Sequence, residues 1–303
     1  MPKLAANGIE VEYDVRGDLG APPLLLIMGL GMPAAMWPDA FVDALLSQGF
    51  RVVTFDNRDS GGSTRLAGLR VPNIPAAIAR ALLRRKVRAP YTLDDMAADT
   101  VGLLDGLGIE RTHVVGVSMG GMIAQVLAAR HPQRVTSLTS IMSSTGNPQR
   151  KIAFGKRRAL GAILHVPPPA SDIPATVAHL ERLFGVIGSP GFPQDPAALR
   201  QHFERVAQRG LYREGTARQM MAILGSGDRR ELLRSITAPT YVIHGGDDPL
   251  VPLAAGLDTA RCIRGARLEV IMGMGHDFPP ELMTSVAAKI GDHCRAAAAR
   301  AAS

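Results

Sequence analysis

The chain has 303 residues, 46% hydrophobic, 20% charged and only 4% aromatic, a globular composition that excludes disordered and fibrous classes. Its net charge of +7 invites an anionic partner, but the excess is local. Residues 149–234 carry 14 basic against 7 acidic side chains, while 1–148 carry 14 against 13 and 235–303 carry 6 against 7.

The first predicted elements are an antiparallel pair around Ile9–Val15 and a short apolar strand, Pro23–Met28. Next come a helix over Met36–Ser47, a strand over Phe50–Asp56, a helix over Leu93–Leu107, a strand over Thr112–Val117 and a helix over Met119–Arg130. Thr92 with Asp94 and Asp95 reads as a helix start, Gly108 as its end, and Pro132 as the stop of the following helix. Uninterrupted apolar strands alternating with helices predict a mostly parallel sheet buried on both faces. Further strands are expected at Val135–Met142, Thr240–His244 and Arg267–Met272.

Residues 147–235 break this rhythm. They hold Pro167-Pro168-Pro169, a turn at Gly188-Ser189-Pro190-Gly191, and helical patterns over Ile173–Phe184, Pro196–Gln208 and Glu214–Leu224. We read 1–146 with 236–303 as one α/β core domain and 147–235 as a helical cap inserted between two strands. The most apolar stretch, Pro22–Trp37, is broken by Gly29, Gly31 and Pro33, short of the roughly 18 uninterrupted residues of a spanning helix. No integral membrane association is expected. Two cysteines, Cys262 and Cys294, make no disulfide framework, and the N-terminal residues lack the order of a secretory signal, so a cytoplasmic protein is expected.

The sharpest chemical signal is Gly116-Val117-Ser118-Met119-Gly120, between a strand and a helix. A serine on so tight a turn needs small residues two before and two after it, and the glycines supply them. A serine hydroxyl needs a base, and the base needs an orienting acid. Past the strand TYVIH stands Gly245-Gly246-Asp247-Asp248-Pro249, and past RLEVIM stands Gly273-Met274-Gly275-His276-Asp277. The chain order Ser118, Asp248, His276 puts each group just beyond a strand's C-terminal end, where open α/β sheets bind ligands. Asp247 adjoins the acid position; Asp248, followed by Pro249, is favoured. His113 and His244 also sit at strand ends without the Gly-Met-Gly lead-in of His276, and Asp277 reads as a solvated or helix-starting carboxylate. For the oxyanion of acyl transfer, the N–H of Met119 and that of Leu30, in Met28-Gly29-Leu30-Gly31, are the expected donors.

Together MGLG, GVSMGG, GGDDPLVP and GMGHD resemble the α/β-hydrolase superfamily. WPDAF, FDNRDSGGS and APYTLDDMAADTVGLLDGLGIERTHVVGVSMGGMIAQ look like its aclacinomycin methylesterase-like branch. The resemblance covers 20–146 and 235–285 and implies an eight-stranded mostly parallel sheet with helices on both faces, a helical cap, a Ser-His-Asp triad and no metal or organic cofactor. Many relatives have a histidine before the oxyanion glycine where this chain has Met28, which leaves open what holds that loop. A serine at 118 separates the chain from the dehalogenases and epoxide hydrolases of the superfamily, which use an aspartate there.

Met32, Met36, Trp37 and Met221 are the expected substrate-binding residues, since flexible thioethers suit varied apolar groups. The segment Ile78–Arg88 and the run Lys156-Arg157-Arg158 alternate or cluster basic residues; a solvated basic face is the first reading and contact with an anionic surface the second. Few aromatic residues and no recognition motif argue against nucleic acid. The sequence thus predicts a serine carboxylic-ester hydrolase for small to medium apolar esters. A methylesterase of a bulky metabolite, a cofactor-free perhydrolase or C–C hydrolase, and a non-catalytic ligand receptor are the alternatives.

Overall fold

The computed structural model describes residues 1–70, 73–83, 85–153 and 155–302. Its strands are β1 (Lys3–Ala6), β2 (Ile9–Arg16), β3 (Pro23–Ile27), β4 (Arg51–Phe55), β5 (Thr112–Val117), β6 (Val135–Ile141), β7 (Thr240–Gly245) and β8 (Arg267–Ile271). They form one eight-stranded sheet in the order β1-β2-β4-β3-β5-β6-β7-β8. Pairing is antiparallel from β1 to β2 and from β2 to β4, and parallel across the rest.

The apolar runs become strands because both faces of the sheet are covered. Along β3, Leu25 and Ile27 point into one core and Leu24 and Leu26 into the other, the two-residue alternation of a pleated strand. The first core is closed by α3 (Leu93–Gly106) and α4 (Met119–Arg130). The second is closed by α1 (Asp39–Ser47) and α12 (Pro280–Ala302), through Phe41, Leu45 and Ile290. A capping box begins α3: Thr92 Oγ1 accepts from Asp95 N–H and the Asp95 carboxylate accepts from Thr92 N–H, satisfying two donors the helix leaves free. The chain leaves this helix through Gly108 at φ +65°, a left-handed conformation that glycine adopts without strain.

Between β6 and β7 the described residues form helices only: α5 (Arg150–Ala153), α6 (Arg157–Leu164), α7 (Ile173–Ile187), α8 (Pro196–Arg209), α9 (Arg213–Ser226) and α10 (Arg230–Leu233). Here this segment is called the cap. Helices α7 and α8 enclose a small core of their own around Leu180 and Phe203. Ala222 of α9 and Leu233 of α10, in contrast, pack into the first sheet core beside Ile123 and Leu127, so the end of the cap is continuous with the sheet layer.

The basic segment Ile78–Arg88 is not one helix. Helix α2 (Ile74–Leu82) stops there, and the chain folds back so that Val87 packs with Ala77 and Met221 while the Arg80 guanidinium donates to the Lys86 carbonyl at 2.9 Å. Arg84 of that segment lies outside the described residues. No helix among the described residues is long and apolar enough to cross a membrane.

Candidate active site

Ser118 occupies the turn from β5 to α4 with φ 53° and ψ −119°, a backbone conformation costly for any residue but glycine. Its surroundings hold it there. Ser118 N–H donates to the Ile141 carbonyl at 2.9 Å, and its carbonyl accepts from Ser143 Oγ at 2.8 Å. A Cβ on Gly116 would overlap the Gly120 carbonyl, and one on Gly120 would overlap the Ile27 carbonyl. Only glycine at both positions lets the elbow close, as the sequence argument required.

Asp248 lies beyond β7, its carboxylate fully screened from solvent. Its Oδ1 accepts from the N–H groups of Leu250 and Val251, both at 2.8 Å; its Oδ2 is 2.7 Å from His276 Nδ1. The other ring nitrogen, Nε2, is 3.0 Å from Ser118 Oγ. The three strand ends therefore bring Ser118, His276 and Asp248 into one line. Asp247 stands outside it, exposed and bonded to Gly273 N–H. His244 is 3.8 Å from Asp248 and its Nε2 engages the Val251 carbonyl; burial pushes its pKa down. His113 is remote from this line, bonded to Ser137.

The loop 28–34 crosses in front of Ser118, and a Cβ on Gly29 would touch the serine Cβ at 3.4 Å. Three side chains that sequence reasoning passed over hold it. Asn57 Nδ2 donates to the Met28 carbonyl at 3.0 Å. Gln219 Oε1 accepts from Gly31 N–H at 2.7 Å. Asp56, buried with its pKa raised by burial, accepts from Ala34 N–H at 2.6 Å. Asp56 and Asn57 stood in the FDNRDSGGS string that carried the family resemblance; Gln219, 188 residues from Gly31, had no local signal.

The line opens into a cavity of about 240 Å³ between sheet and cap. Met32, Met36 and Trp37 line it. Met221 does not: it is buried against Ala77 and Val87, and its neighbour Met220 faces the cavity instead. One step along a helix turns a side chain by about 100°, beyond what a sequence pattern resolved here. The polar lining residues are Ser118, His276 and Asp277.

Asp277 is neither solvated nor helix-starting, because α12 begins at Pro280 and the carboxyl is buried. Ser189 Oγ and Gln194 Nε2, both from the cap, donate to it. Burial raises its pKa and these hydrogen bonds work against the rise. Among the described residues no cluster of His, Cys, Asp or Glu could hold a metal ion.

The family model described as the alpha/beta hydrolase fold matches residues 22–281. The chain is 29% identical to the rhodomycin D methylesterase DnrP of Streptomyces peucetius, over 93% of both chains. It is 26% identical to 3-oxoadipate enol-lactonase 2 of Acinetobacter baylyi, over 88% of this chain and 87% of that one. The crystal structure of the enol-lactonase from Burkholderia xenovorans LB400 superposes with a TM-score of 0.69 at 26% identity, over 96% of this chain and 99% of that one. With its elbow serine, its sheet order and these relatives, the chain belongs to the alpha/beta hydrolase fold family and is similar over nearly its whole length to hydrolases.

Proposed function

We propose that this protein is a serine carboxylic-ester hydrolase acting on small to medium apolar esters. The observation that carries the reading is the continuous hydrogen-bonded line from Asp248 through His276 to Ser118, opening into a cavity walled by methionines and aliphatic side chains.

In this reading Ser118 Oγ attacks the ester carbonyl while His276 Nε2 takes its proton. Asp248, held by two N–H groups, keeps Nδ1 protonated, fixes the ring and stabilises the imidazolium. The carbonyl oxygen becomes an oxyanion and turns towards the N–H groups of Met119, first residue of α4, and Leu30. Gly31 N–H is taken by Gln219 and Met32 N–H by the Gly29 carbonyl, which leaves Leu30 N–H uncommitted to either contact. The intermediate collapses, His276 gives its proton to the departing alcohol, and Ser118 keeps the acyl group. Water then attacks with His276 as base, releasing the acid and restoring Ser118.

The likeness to rhodomycin D methylesterase supports a second reading with the same chemistry, hydrolysis of the methyl ester of a bulky metabolite. Unpaired Cys262 and Cys294 suit a reducing compartment, so we place the reaction in the cytoplasm, on a small molecule rather than a nucleic acid.

The test is hydrolysis of p-nitrophenyl esters with acyl chains of about two to sixteen carbons and of methyl esters of bulky acids, by the wild type and Ser118→Ala. Turnover that disappears in the variant is expected. Ester turnover surviving in Ser118→Ala, or folded wild type inert towards both ester sets, overturns the reading.

A further inference from the structure

The peptide that carries Leu30 N–H lies between two others that are pinned from outside the loop. The Met28 carbonyl, in the peptide before it, accepts from Asn57 Nδ2 at 3.0 Å. Gly31 N–H, in the peptide after it, donates to Gln219 Oε1 at 2.7 Å. Within the loop, the Gly29 carbonyl accepts from Met32 N–H. In a trans peptide the N–H points opposite to the C=O, so Leu30 N–H is directed away from the loop's own interior.

Gln219 belongs to α9, in the cap, and is fully buried. Its Nε2 donates to the Arg58 carbonyl at 2.7 Å, so its amide spans the loop and the strand-end segment that follows β4. Only this orientation of the amide satisfies both partners, since Gly31 supplies a donor and Arg58 an acceptor. The fit is close: Gly31 has φ +69°, and a Cβ there would lie 2.5 Å from Thr216 Oγ1, one turn earlier on α9. Helix α9 therefore sets the loop by contact as well as by hydrogen bonding.

We propose that Gln219 is a positioning residue of the reaction, a cap side chain that fixes the Leu30 N–H where the oxyanion forms. It answers what does the work of the histidine that many relatives carry where this chain has Met28. The proposal rests on the ester-hydrolase reading above. It makes the cap part of the transition-state machinery, because displacing α9 releases the peptide on which that donor depends.

The experiment compares full-length wild type, Gln219→Met and Gln219→Glu on p-nitrophenyl butyrate, and measures inhibition by an alkyl trifluoromethyl ketone, which forms an oxyanion adduct with the serine, against binding of the matching secondary alcohol, which does not. Gln219→Met is expected to lower kcat about 10- to 100-fold with KM changed less than about threefold, as misplacement by an ångström does. Ketone affinity should fall in parallel and alcohol affinity should hold. A merely structural role would not separate the two ligands.

Gln219→Glu covers the case in which Gln219→Met does not fold. A protonated glutamic acid can accept from Gly31 and donate to the Arg58 carbonyl, whereas a carboxylate cannot donate. The neighbouring charges Arg58 and Arg218 remain paired with Asp99 and Asp59. The activity of Gln219→Glu relative to wild type should therefore rise as pH is lowered. Ser118-dependent turnover with kcat and ketone affinity unchanged in Gln219→Met, or a Gln219→Glu ratio flat in pH, overturns the proposal. Wild type that hydrolyses no ester would instead overturn the reading beneath it.

Discussion

The backbone N–H of His276 donates to the carbonyl of Ile187, the last residue of α7, at 2.7 Å. The base of the proposed reaction thus hangs from the cap. Two more bonds reinforce the contact: Gly191 N–H donates to the Gly273 carbonyl at 2.9 Å, and Gly275 N–H donates to Ser189 Oγ at 2.8 Å. Ser189 in turn donates to Asp277, so one hydroxyl links the residues on either side of His276. Ser189→Ala should lower kcat about tenfold through a looser imidazole while leaving KM nearly unchanged. Steady-state kinetics on a short-chain ester check it; an unchanged kcat would show that the backbone bonds suffice.

A buried ion pair clips α9 to the core. Arg218, 1% exposed, donates through Nε and Nη2 to the two oxygens of Asp59 at 2.8 and 2.7 Å, and Tyr91 Oη adds a bond at 2.9 Å. Removing one partner strands a charge, so Arg218→Met or Asp59→Leu should each cost about 3–5 kcal/mol, and the double replacement much less than their sum. Urea denaturation of the four proteins measures the coupling, and simple additivity would contradict it.

The contribution of the buried histidines to stability should fall on the acid side of neutrality. Burial pushes His113 down from its ordinary 6.5 to about 4 and moves His244 and His293 in the same direction. Between those values the unfolded chain binds protons that the folded chain refuses, so stability present above pH 6.5 is lost as pH falls towards 4. For His113 alone the loss is on the order of 2 kcal/mol. In His113→Gln, whose amide can still bond Ser137, the urea midpoint should drop less steeply from pH 6.5 to 4.5 than in wild type.

The cavity's proposed role as an acyl pocket can be tested by charge. Met36 and Met220 line the cavity and Met221 does not. Met36→Asp and Met220→Asp should raise KM for octanoate esters far more than for acetate, because the longer chain covers the added carboxylate. Met221→Asp should instead reduce stability, by about 2–4 kcal/mol, with little change in the ratio of the two KM values. Chain-length profiles alongside thermal melts distinguish these outcomes.

The central strands β3 to β7 were legible because each is a short, mostly buried run, and the groups past the strand ends were legible because a parallel sheet gathers its C-terminal edges. Asp248 could be preferred to Asp247 on sequence, yet the reason lies in the structure: the N–H groups of Leu250 and Val251 face one side chain and not the other. Asp277 was misread because its burial is created by Ser189 and Gln194, more than 80 residues away. The basic segment around Arg80 has helical spacing, but packing of Val87 against Met221 turns the chain first. What escaped reading in each case is a contact between distant parts of the chain, to which local periodicity is blind.

The suspension of His276 from Ile187 also limits how this protein can be recombined. Substrate range in such a fold invites exchange of the helices between β6 and β7 for those of a relative. A graft that replaces residues 187–194 also resets the position of the backbone carbonyl that holds His276 N–H and removes both side-chain donors to Asp277. Chimeras with their upstream junction after residue 194 would keep the parental histidine loop seated, whereas those joined at the ends of the cap would import a new substrate wall and a displaced base together.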